Sequence, residues 1–204
     1  TTAALAENHP GFYQPQENAS MDYEDAESRW SFARSAESEH FLLFWEAGFG
    51  ENPLNAVPEM QVDTVDLLEK AELFYAENVE RLHMADEPLP GGDKLQIYLL
   101  YTADWVATGS GYDNRIGALW VSPATCQPVG SVIAHEIGHC FQYLTYCQAL
   151  ESGAPDDSHA GFRYGYAENA GNALWEIGAQ WQSWQNYPEE MFTDYEMETW
   201  FQQY

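Results

Sequence analysis

Val132-Ile133-Ala134-His135-Glu136-Ile137-Gly138-His139-Cys140-Phe141-Gln142 is the stretch that decides the reading of this chain. Its apolar residues predict a helix starting near Val129. Residues four apart share one helix face, so His135 and His139 point the same way. Two imidazoles at that spacing can hold one Zn²⁺, and Glu136 beside them is placed to act as general base rather than ligand. The ordinary alternative is a buried helix that happens to contain these residues.

A zinc held for catalysis needs a third protein ligand and an open fourth position. Downstream candidates are Asp156, Asp157, His159, Glu168 and Glu176. Glu176 sits in Ala173-Leu174-Trp175-Glu176-Ile177-Gly178-Ala179-Gln180, on a second predicted helix spanning 170–185. A carboxylate among small and apolar residues is costly unless it is paired or binds a metal. Ala173, Gly178 and Ala179 are small enough to let this helix approach the histidine helix. Gln180 shares the face of Glu176 and can orient a ligand imidazole from behind. His159 ranks second, in a loop rich in Gly, Asp and Ser. Gln142 and Thr145 stand where a metzincin has Gly and His, so that family is not expected.

The chain has 204 residues, enough for one domain with a real core. It carries 33 acidic against 7 basic residues, a net charge of −26. That surface repels nucleic acid and anionic membranes; it also serves solubility without any catalytic role. No apolar run is long enough to span a bilayer. The sequence begins Thr1-Thr2-Ala3 without a Met, which suggests a processed or trimmed mature form and is compatible with a secreted or extracytoplasmic location. Cys126, Cys140 and Cys147 are expected to remain unbridged, because one helix would hold Cys140 and Cys147 too far apart.

The remaining pattern predicts an α+β fold with one small mixed sheet. Residues 1–38 read as an acidic arm docked through Phe12, Tyr13, Trp30 and Phe32, and 39–204 as the main domain. Strands are expected at 40–45, 94–101 and 116–121, with a backing helix over 59–83 carrying Val62, Val65, Leu68, Ala71, Tyr75, Val79 and Leu82. Gly109 to Asn114 reads as a loop, and Glu189 to Tyr204 as a last helix.

His135-Glu136-x-x-His139 with Glu176 on a following helix resembles the gluzincins, the thermolysin-like zinc metallopeptidases, and is similar to uncharacterised secreted bacterial zincin-like domains. The resemblance covers roughly 129–182 and departs from the family in a longer spacing to Glu176 and in Gln180, where an acid is usual. It implies a zincin-like fold, zinc on His135, His139 and Glu176, and Glu136 as base for hydrolysis of a peptide or protein substrate. It also implies that the strand before the active helix lines the cleft, which assigns substrate pairing to Gly117, Ala118, Leu119 and Trp120. Tyr164 and Tyr166, or His159 and Arg163, are candidate donors to the oxyanion. Two other functions stay open. The 8 Trp and 13 Tyr could serve glycan or glycoprotein recognition, and the zinc site could belong to an inactive interaction domain.

Overall fold

A computed structural model describes residues 9–86, 89–155, 162, 164 and 172–192. The sheet has strands β1 (Ser35–Glu37), β2 (Phe41–Trp45), β3 (Leu95–Leu99), β4 (Ala107–Tyr112) and β5 (Ile116–Val121), in the order β1-β2-β3-β5-β4. β2, β3 and β5 are parallel, while β1 and β4 run antiparallel at the two edges. The described helices are α1 (Thr64–Ala76), α2 (Ser131–Glu151) and α3 (Asn172–Asn186). The molecule is therefore α+β with a mixed sheet.

The parallel strands are apolar on both faces, apart from the buried Gln96 of β3, because both faces of the sheet are covered. Phe41, Leu43, Ile97, Leu99, Leu119 and Val121 pack with α1 and α2. Leu42, Phe44, Tyr98, Tyr112 and Ala118 point to the opposite face, where Phe12, Tyr23 and Trp30 of the N-terminal arm close it. Tyr13 and Phe32 pack against the same cluster, partly buried. The arm thus supplies half the cover of the sheet, and its last residues form β1.

Asp63 caps α1, its side chain accepting the N–H groups of Val65 and Asp66. The buried face of α1 is Leu67, Leu68, Ala71, Phe74 and Tyr75, whereas Val65 is 63% exposed. A π turn, Glu77–Arg81, extends the helix. Helix α2 is buried on nearly every side from Ile133 to Gln142, because the sheet, α1 and α3 all pack on it. A short 3₁₀ segment, Pro188–Phe192, follows α3; the rest of the expected last helix lies outside the described residues. Among the described residues no helix is long and apolar enough to cross a membrane. All three cysteines are buried free thiols.

Two expectations are overturned, the substrate-pairing strand and the loop at Gly109 to Asn114. Ile116–Val121 is not an edge strand: it lies between β3 and β4, paired to both. Gly117, Ala118, Leu119 and Trp120 therefore have both sides of their strand occupied and cannot offer a free edge to a substrate. The edge is β4, in the stretch read as a loop. Its two glycines and its serine hide a strand from propensity. Asp113 and Asn114 turn the chain into β5 with φ of 56° and 53°, as tight hairpins demand.

Candidate metal centre and cleft

Helix α2 forms the floor of a cleft, with β4 as one wall and α3 as the other. Gly109 lets the first wall come close. A Cβ built there would sit 2.1 Å from the carbonyl oxygen of Glu136 and 2.8 Å from Cβ of His139. Gly138 does the same for the second wall, since its added Cβ would lie 3.2 Å from Cα of Ala179. Gly178 and Ala179 are in this interface as the sequence suggests; Ala173 is exposed.

These approaches bring His135, His139 and Glu176 together, with one ligand atom from each lying within 4.8 Å of the others. Nε2 of His135 is 3.0 Å from Nε2 of His139, and Oε2 of Glu176 is 3.2 Å from the first and 3.5 Å from the second. Both histidines are buried, while the Glu176 side chain is 52% exposed and faces the cleft.

The rings are held from behind by glutamines. Oε1 of Gln180 lies 2.9 Å from Nδ1 of His135, and Oε1 of Gln142 lies 2.9 Å from Nδ1 of His139. The amide nitrogen of Gln142 donates to the Trp175 carbonyl at 2.9 Å, which fixes the orientation of that side chain. An amide oxygen only accepts, so each Nδ1 carries the proton and each Nε2 presents a lone pair. Two lone pairs and a carboxylate oxygen then converge without a donor between them. Such a set fits a cation, and two imidazoles with one carboxylate fit zinc. Trp175 stacks on His139, with ring centroids 4.3 Å apart and 9° between planes, which fixes the second imidazole further.

Electrostatics agree with this arrangement. Burial lowers the His135 pKa, and the neighbouring His139 lowers it further, which favours the neutral ring. Glu176 is held below the ordinary carboxylate value, first by the adjacent His139 imidazole and then by His135. Glu136 is pushed up to about 7 by burial, against the pull of His139 and of a hydrogen bond from the Gly109 backbone.

The cleft has a volume of about 470 Å³ and is lined by Trp105, Ala107, Thr108, Gly109 and Ser110 along the β4 wall, and by Tyr164, Trp175 and Glu176 opposite. Tyr164 is exposed, its ring 6.4 Å from that of Trp175. Tyr166, His159 and Arg163 lie outside the described residues. Gln142, Trp105 and the β4 wall were missed as site elements by sequence reasoning. Gln142 follows His139 by one turn and could have been found by the rule that located Gln180; nothing local marks Trp105.

No curated protein and no solved structure matches this chain. Residues 5–204 match the family described as "Family of unknown function (DUF6055)", and the chain belongs to that family.

Proposed function

We propose that the protein is a zinc-dependent peptidase. The observation that carries this is the convergence of three acceptor atoms, from His135, His139 and Glu176, beside a carboxyl that is not among them. When bound, zinc supplies a Lewis acid and lowers the pKa of water. The other roles belong to the chain. Gln180 and Gln142 orient the imidazoles. Glu136, its pKa near neutral through burial, takes a proton from the attacking water and returns it to the leaving amine. The outer edge of β4, which no strand covers among the described residues, offers N–H and C=O groups to an extended polypeptide. Zincin-like architecture and a secreted location are consistent with this reading and form part of the proposal.

The test is direct. Purified protein is loaded with zinc and incubated with a mixed peptide library, with and without chelator. Cleavage that disappears with chelator and returns with zinc is the expected result; an inert zinc-loaded protein would refute the reading.

A further inference from the structure

The cleft has two features that the proposed reaction leaves unused. Trp105 and Tyr164 both line it, and they are 63% and 66% exposed. Scattered exposed apolar residues are normal on a protein surface. Here two large rings stand on opposite walls of the one cleft that contains the histidine pair. Trp105 lies two residues before β4. Tyr164 packs toward Trp175 of α3.

Trp105 stands on a fixed base. The next residue, Val106, donates its N–H to Oγ of Ser122 at 3.0 Å and accepts the Ser122 N–H at 2.9 Å. Its carbonyl also accepts from Oγ1 of Thr125 at 3.2 Å. The indole is therefore presented by an ordered backbone without being drawn into the core. The lining has no Lys or Arg among the described residues, and its charged groups are the acids Glu136 and Glu176. Described cations are engaged elsewhere, as Lys94 is with Glu37 and Arg115 with Asp93.

We propose that Trp105 and Tyr164 set specificity by gripping, from opposite walls, bulky apolar or aromatic side chains beside the bond that is cut. The cleft then accepts polypeptide segments carrying such residues and rejects acidic ones. This rests on the peptidase reading. Polypeptide is favoured over glycan because the wall that carries Trp105 is strand β4, whose outer edge no strand covers among the described residues, whereas hydrogen-bonding side chains on that wall are few, Thr108 and Ser110.

The experiment maps cut sites in a random peptide library after digestion by the zinc-loaded full chain. Cut sites should be enriched in Phe, Tyr, Trp and Leu next to the bond and depleted in Asp and Glu. Trp105→Ala should lower kcat/KM about tenfold on a peptide with an aromatic residue there, the scale of one lost apolar contact. It should slow a peptide with Ala at that place by a clearly smaller factor, and Trp105→Phe should keep the preference. Circular dichroism checks that both variants fold. A flat cut-site profile, or a Trp105→Ala protein slowed equally on every peptide, would overturn the inference while leaving the peptidase reading standing. No cleavage by the zinc-loaded parent would remove both. Binding to a glycan array that Trp105→Ala abolishes, without any peptide preference, would reassign the rings to sugar stacking and overturn it too.

Discussion

Nε2 of His135 faces Nε2 of His139 at 3.0 Å, and neither nitrogen has a proton to give the other. Two imidazole lone pairs facing each other at that distance are made favourable by a cation held between the rings. The glutamines that create it lie on different helices, Gln142 on α2 and Gln180 on α3.

Metal analysis should therefore find one zinc per chain, and His135→Ala or His139→Ala should abolish it. Gln142→Ala and Gln180→Ala should weaken zinc binding by about 10- to 100-fold, the usual effect of losing an outer partner of a ligand histidine. Competition against a fluorescent chelator measures this. Unchanged affinity in both glutamine variants would mean that they do not set the tautomers.

Glu136→Gln keeps the side chain's shape and removes its proton affinity. Zinc content should match the parent, while peptide hydrolysis should fall by about a hundredfold or more. A variant that cleaves at the parental rate would show that another group accepts the proton.

Gly109→Ala places a methyl group against the backbone of Glu136, which has little freedom to move. β4 must lift from α2, at a cost of about 1–3 kcal/mol by the scale of overpacked cores. Chemical denaturation should register that loss, together with lower activity from a displaced cleft wall. Parental stability would mean that the wall is looser than its contacts indicate.

The N-terminal arm is predicted to be part of the core in energetic terms. Trp30 is 3% exposed and packs on Tyr98, with ring centroids 4.9 Å apart. Trp30→Ala should cost about 3–5 kcal/mol, read from the denaturation midpoint. A loss below about 1 kcal/mol, the range of ordinary surface changes, would show that the arm only rests on the sheet.

Acid should loosen the other end of the sheet. Glu72 accepts the His40 backbone N–H at 2.8 Å, and its second oxygen lies 2.7 Å from Nδ1 of that ring. Burial alone would raise its carboxyl, but the hydrogen bonds and the His40 charge outweigh burial and hold it below the ordinary 4.5. A depressed folded pKa contributes stability above the ordinary value, and that contribution is lost as pH falls through the folded value. Urea midpoints should accordingly drop as pH is taken below 4.5, and Glu72→Gln should remove that part of the slope. An identical acid limb in the variant would place the titration elsewhere.

Sequence alone picked out His135, His139 and Glu176, which the structure gathers into one group, and the α+β layer type, because local periodicity and composition mark them. His135 and His139 must share a face whenever 129–146 is helical, and a carboxylate such as Glu176 among small and apolar residues needs a partner. The apolar runs at Phe41–Trp45, Leu95–Leu99 and Ile116–Val121 mark strands wherever they end up. Strand order is another matter. β4 and β5 differ in which has a free edge only because β5 pairs with β3, a contact between residues far apart in the chain. Gly109, Ser110 and Gly111 have weak strand propensity and become a strand through pairing with β5 and close packing on α2. Helical spacing brings Gln180 to the face of Glu176, and only the packing of α2 on α3 sets it against His135. The same packing gives Gln142 its second partner on Trp175. The chemistry of the site was written in neighbouring residues; its walls, and the aromatic rings that stand on them, were decided by tertiary contacts.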